Sequence, residues 1–334
     1  MRARRAKCCI YCRATISEPP REHVIPIAFG SFKNNPVLRC VCADCNHQFS
    51  SELELSFARD SSEGFARVYF GLRPNVLETS KNSVLTLNLP SAWKGARIRI
   101  RENPGGGRPS FEIVPQVAIK HGDTWDWITE DDISLERLAD CLDHAVDIKV
   151  ACNSTDEHQR LTVRLGALGV RLGEVSHYDI NSLSNERLQA TVKYELSHAQ
   201  ARCVAKIAFN YLAWNFRPEF VLNESFDEVR NYIRSGDLCG REAFVYIVNK
   251  SVLLEEQIGG GKVTNGHIVV VDWGIDPNQI VGRVTLFNTV RYSVVLSRRY
   301  VGLWFLLGIG HHFDVAGKKI SKLVRLTQSG LVDL

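Results

Sequence analysis

The chain has 334 residues, 45% of them hydrophobic and 23% charged, the balance of a globular chain with material for two domains or one large one. No stretch approaches the roughly 18 uninterrupted apolar residues of a membrane span, and the basic start MRARRAKCC has no apolar core of a signal peptide, so the expectation is a cytoplasmic protein with no membrane partner. The formal charge is +4, yet residues 1–48 alone carry eight basic side chains (Arg2, Arg4, Arg5, Lys7, Arg13, Arg21, Lys33, Arg39) against Glu18, Glu22 and Asp44, an excess of five that suits a polyanion partner at this end and equally a frayed basic terminus that keeps the protein soluble.

In chain order, residues 1–60 are dense in Cys, Pro and turn residues, and end in CNHQFSSELELSFARDS. This last segment predicts a helix from about Cys45 to Arg59 with Leu53, Phe57 and Ala58 near one face. A further helical stretch and a loop are expected over 61–80. SVLTLNL and ARIRIRE then alternate apolar and polar residues with the period of strands, NPGGGRPS reads as a turn, and FEIVPQVAIK as another pair of strands. ISLERLADCLDHAVDIKVA reads as one helix. The strongest helical pattern is KYELSHAQARCVAKIAFNYLAWNF, roughly 193–216, whose broad apolar stripe (Leu196, Cys203, Ile207, Tyr211) marks a core helix. FDEVRNYIRSG follows as a second helix, with Ser225 and Glu228 spaced as a capping box and Gly236 as the stop. EAFVYIVNK, HIVVVDW, GRVTLFNTV and RYSVVLS close the chain as strands. The glycine run Gly259–Gly261 before Lys262 lacks the frame of a phosphate loop and reads as a hairpin tip.

Six of the ten cysteines fall within residues 8–45. Cys9-x-x-Cys12 and Cys42-x-x-Cys45 have the spacing of two knuckles that close a four-thiolate zinc site, a staple that a unit of this size needs because it buries little core. Cys8 and Cys40 are left as spare thiols, and Cys141, Cys152, Cys203 and Cys239 read as small buried apolar residues. Between the two pairs lies EHVIPIAFG, where Glu22 and His23 adjoin an apolar run; a packed strand has no use for that pair, and a site that holds a metal and deprotonates a water does. The similar pair Asp143–His144 lacks the cysteines and the turn, and reads as a solvated helix face.

Taken together, Cys-x-x-Cys, Glu-His before an apolar run and Pro, then Gly, then Cys-x-x-Cys-Asn resemble the HNH, or ββα-metal, endonuclease family in its zinc-stapled form, over about residues 8–58. The resemblance implies an α+β protein: a small N-terminal zinc-stabilised ββα-metal unit over 1–60, followed by a larger mixed α+β domain over 61–334 that serves recognition, regulation or dimerisation. It implies structural Zn²⁺ on Cys9, Cys12, Cys42 and Cys45, and a catalytic Mg²⁺ or Mn²⁺ on Glu22 and Asn46. His23 is the implied general base, and Asn35, with Asn34 next in line, the brace of the backbone around it. The implied activity is hydrolysis of phosphodiester bonds in double-stranded DNA, in an architecture similar to bacterial HNH proteins of phage defence or restriction, with a homodimer among the arrangements left open. The chain departs from the family at Phe49, where relatives place His or Lys, and at Gly30–Ser31, where they often place Gly-Gly. His47, Glu52 and Glu54 read as ordinary helix side chains. The alternative is a zinc knuckle that binds nucleic acid without cutting it.

Overall fold

The computed structural model of the chain describes residues 8–70, 72, 84–87, 93–101, 110–142, 147–170, 190–191, 196–238, 243–248, 266–276, 278–288, 290–301 and 308–323. Asp143–His144, Cys239 and the Gly259–Lys262 run lie outside these residues. The fold mixes helices and strands, and the chain divides into two compact units: Met1–Arg73 together with Glu195–Leu334, and Pro74–Tyr194. The first sixty residues therefore belong to the same unit as the segment from Glu195 onward. Among the described residues no helix is long and apolar enough to cross a membrane.

In the first unit, a six-stranded antiparallel sheet runs in the order Val245–Val248, Val290–Ser297, Ile280–Leu286, Gly266–Trp273, Ile309–Asp314, Lys319–Leu323. The helix His198–Asn215 packs on it, with its capping box made by Ser197 and Gln200. Every side chain from Gln200 to Ala213 is buried, which is why the sequence shows a broad apolar stripe: this helix is covered on all sides. A glycine at 282 lets the sheet come this close, since a Cβ there would lie 2.7 Å from the Ala208 methyl.

The N-terminal segment adds a two-residue antiparallel ribbon, β1 (Glu22–His23) on β2 (Val37–Leu38), with Glu22 opposite Leu38 and His23 opposite Val37. A short 3-10 turn, Ile27–Phe29, follows β1 and ends at Gly30, whose φ of 136° is open to glycine and costly for any other residue. Helix α1 (Ala43–Gln48) begins at Cys42 and runs into a π-helical turn, Phe49–Glu54, and then a further α-helix, Leu55–Asp60. The single helix expected from Cys45 to Arg59 is thus interrupted. The wider turn carries Phe49 and Leu53 into the core while Phe57 and Ala58 remain on the buried face. Ser62–Tyr69 forms the next helix.

The helix Asp227–Ser235 has no side-chain cap: the Ser225 hydroxyl instead accepts the Val301 N–H at 3.0 Å, and Asn223 caps the 3-10 turn that precedes it. Its end is as read, with Gly236 in the left-handed conformation at φ 81°.

The second unit has a four-stranded sheet, ordered Ser110–Ile113, Arg97–Arg101, Val84–Leu87, Ala190–Thr191, and a three-stranded one, ordered Thr124–Thr129, Gln116–His121, Asp147–Ala151. The segment read as one helix from Ile133 to Ala151 is a helix, Leu135–Leu142, and a separate strand, Asp147–Ala151. DIKVA alternates and pairs with Gln116–His121, so tertiary pairing outweighs the helical pattern upstream of it. Val117, Ile119, Ile128, Leu138, Leu161 and Leu165 form the core, with Cys141 and Cys152 packed at its margin. Asn153 extends the pairing by side chain, accepting from the Ile113 N–H at 2.7 Å and donating to the Ile113 carbonyl at 2.6 Å.

Candidate functional site

The four cysteines meet. One sulfur from each of Cys9, Cys12, Cys42 and Cys45 lies within 4.8 Å of the others, the arrangement that can hold a metal such as zinc. The first pair sits on a tight turn that Arg13 closes in the left-handed conformation, its N–H bonded to the Cys9 carbonyl at 2.9 Å. The second pair opens α1, where Cys42 is the N-cap and its sulfur accepts the Cys45 N–H at 3.5 Å. The Tyr11 and Cys42 N–H groups both point at the Cys9 sulfur, each at 3.4 Å. A thiol donated by Cys45, together with these amides, brings the Cys9 thiol down to about 4, so this is the sulfur most readily held as thiolate. Cys40 is buried and pushed up to about 12 by that burial, in keeping with a spare thiol in the core.

Beside the thiols, the Glu22 carboxylate is almost wholly buried, 2% exposed. Its Oε2 accepts from the Asn46 side-chain amide at 2.6 Å, so a residue of β1 and a residue of α1 that stand 24 positions apart meet side chain to side chain. His23 is half-buried, and among the described residues no hydrogen bond engages its ring. Burial, and after it the charge of Arg21, lowers its pKa, which favours a neutral imidazole. Asn35 accepts the Phe32 N–H at 2.5 Å and so closes the loop between β1 and β2; among the described residues it makes no bond to the His23 ring. Asn34 is exposed.

Two further partners of Glu22 come from the helix His198–Asn215. Its Oε1 accepts from Asn210 Nδ2 at 2.8 Å and forms an ion pair with Lys206 Nζ. Lys206 is fully buried and bonds a second carboxylate, Glu54 Oε1, at 2.5 Å, so Glu54 is no ordinary surface side chain. The Asn210 Oδ1 accepts from the Tyr11 hydroxyl at 2.7 Å, which joins the first cysteine turn to the same network. Burial works against the Lys206 ammonium, and the two carboxylates outweigh it, so its pKa stands above that of an ordinary lysine. Glu52 lies 3.9 Å from Arg202 at the same helix.

The local signal for this network was present but weak: Arg202, Lys206 and Asn210 stand four apart along one side of a mostly apolar helix. A buried lysine there requires a carboxylate, and nothing in the periodicity says which one. Phe49, the position that departs from the HNH pattern, is fully buried. Its ring packs on Tyr11 at 4.6 Å and lies 5.9 Å below the Lys206 ammonium.

The rest of the N-terminal segment is fastened to the sheet. His267 donates from Nε2 to the Phe29 carbonyl at 2.8 Å and accepts the Phe287 N–H at Nδ1, at 3.0 Å. Arg230 donates to the Ile10 carbonyl at 2.7 Å, and Arg13 pairs with Asp227 at 2.6 Å. The residues around Glu22 are therefore held from the helix and sheet behind them as well as by the thiols.

No protein-family model matches the chain, and no curated protein or solved structure does.

Proposed function

We propose that this unit is a metal-dependent HNH endonuclease that hydrolyses phosphodiester bonds in double-stranded DNA. The observation that carries the reading is the meeting of Glu22 Oε2 and the Asn46 amide at 2.6 Å, beside His23 and on a scaffold of four clustered thiols. Rotating the Asn46 amide by half a turn exchanges its nitrogen for its oxygen. A carboxylate oxygen and an amide oxygen would then lie side by side, a donor set suited to a hard cation such as Mg²⁺ or Mn²⁺, which neighbouring ligands hold at about 2.1 Å each. When bound, such an ion supplies Lewis-acid stabilisation of charge on the phosphodiester oxygens. Zinc on the cysteines is structural and takes no part in bond breaking.

Each residue then has one task. Glu22 and Asn46 present oxygens. Lys206 and Asn210 hold the Glu22 carboxylate by its other oxygen and fix its direction. The neutral His23 ring takes the proton of the attacking water, a contribution of roughly 10²–10⁴ in rate. Asn35 keeps the loop that joins the two strands of the ribbon in one shape.

One observation favours a second reading. Both Glu22 oxygens are already answered by protein donors, as they would be in a zinc knuckle that binds nucleic acid and does not cut it. Plasmid incubated with Mg²⁺ or Mn²⁺ separates the two. The nuclease reading expects nicked or linear product from the wild type and at least a hundredfold less from His23→Ala, with zinc content unchanged. Equal cleavage by both proteins removes His23 as the base. Binding without cleavage under either metal selects the knuckle.

A further inference from the structure

We propose that Arg21 and Arg39 form a phosphate-binding face at the open end of the β1–β2 ribbon, and that it seats the backbone of double-stranded DNA beside His23. The inference deepens the nuclease reading and rests on it. Glu22 pairs with Leu38, so Arg21 and Arg39 are the next residues outward on the two chains of the ribbon. Both are exposed. The Arg39 guanidinium reaches back across the ribbon to the Pro19 carbonyl at 3.5 Å, which brings it alongside the segment that carries Arg21. Arg21 stands two residues before His23, the spacing that puts side chains of an extended segment on one face.

These two arginines face each other across the ribbon, and no carboxylate answers either of them. Arg13 and Arg230 share Asp227, Arg97 has Asp132, and Arg298 has Glu228. Among the described residues neither Arg21 nor Arg39 forms an ion pair. Glu18, the exposed acid nearest in sequence, engages neither, and Glu22 is turned inward to Lys206. Like charges gathered across a strand pair repel one another unless an anion lies between them. A guanidinium offers paired N–H donors that match two phosphate oxygens, and two such groups next to a half-buried imidazole describe a seat for a phosphodiester. The surplus of basic residues in this part of the chain supplies the longer-range attraction.

The test measures binding of a short DNA duplex to zinc-loaded protein, in buffer free of magnesium and manganese, over a series of salt concentrations. The Arg21→Gln/Arg39→Gln protein is expected to bind roughly tenfold more weakly at low salt, with the slope of log affinity against log salt reduced by about two. Arg137→Gln/Arg160→Gln removes the same charge from exposed positions in the second unit and is expected to keep the wild-type slope. Both variants lie on the surface, and equal thermal melts confirm that each is folded. An unchanged slope in Arg21→Gln/Arg39→Gln, or an equal loss in the control, overturns the proposal. If that comes with plasmid cleavage that still depends on His23, the nuclease reading survives it. A wild type that fails to bind DNA overturns the proposal, and plasmid cleavage with Mg²⁺ or Mn²⁺ decides the nuclease reading separately.

Discussion

Lys206 sits where an ammonium is tolerated only because two carboxylates meet it. Removing one partner of a buried pair leaves an uncompensated charge, a loss of about 3–5 kcal/mol. Lys206→Met is therefore expected to lower the unfolding free energy by that amount in a denaturant titration. Glu54→Gln, at the more exposed edge of the network, should cost distinctly less. Comparable losses in the two variants, or a loss within experimental scatter for Lys206→Met, would mean that the ammonium does not hold Glu22. Of the residues gathered here, the four cysteines were legible in the sequence by their short-range spacing, and their sulfurs meet. Glu22, His23 and Asn46 stand at set distances from cysteines whose own spacing is dictated by the turn that presents two sulfurs to one metal. Lys206, Asn210 and Tyr11 were not legible, because their pairing with Glu22 and with one another is a property of tertiary packing across some two hundred residues.

At the scale of elements, the alternating strands and the helix His198–Asn215 could be read because each shows its own period. The π-helical turn Phe49–Glu54 could not, since nothing in FSSELE distinguishes one extra residue per turn from a regular helix. The bond from strand Gly266–Trp273 to the turn after β1 was also hidden, and it has a consequence for pH. His267 is fully buried, and burial lowers it to about 4 from the ordinary 6.5, with His312 adding to the effect. As pH falls, the unfolded chain takes up this proton first. The stability tied to a neutral His267 is therefore complete above about 6.5 and lost progressively toward 4, on the order of 3 kcal/mol in all. Glu22 and Glu63, whose carboxyls are raised by burial, act in the opposite sense, so the comparison needs a variant. The wild type is expected to lose more stability than His267→Gln between pH 6.5 and 4, by chemical denaturation at each pH. Parallel curves for the two proteins would contradict this.

At the scale of the molecule, the sequence reading placed a boundary near residue 60, where composition changes. Contacts instead gather Met1–Arg73 with Glu195–Leu334. Composition reports what a segment is made of, and a small segment that completes its core against a distant helix looks the same as one stapled by metal alone. A fragment of residues 1–73 lacks Lys206, Asn210, Arg230 and His267. It is expected to take up zinc on its thiols yet give a poorly dispersed amide spectrum by NMR, whereas the full chain gives a dispersed one. A well-dispersed fragment would restore the first sixty residues as a self-sufficient domain.

The proposed nuclease needs Glu22 and Asn46 together to offer oxygens to a hard divalent cation. Electron paramagnetic resonance of Mn²⁺ titrated into zinc-loaded protein tests it without reference to any cleavage assay. One bound Mn²⁺ per chain is expected in the wild type, with loss of that site in both Glu22→Gln and Asn46→Leu and zinc content unaltered. Absence of Mn²⁺ binding in the wild type, or a site that persists undiminished in both variants, would contradict it.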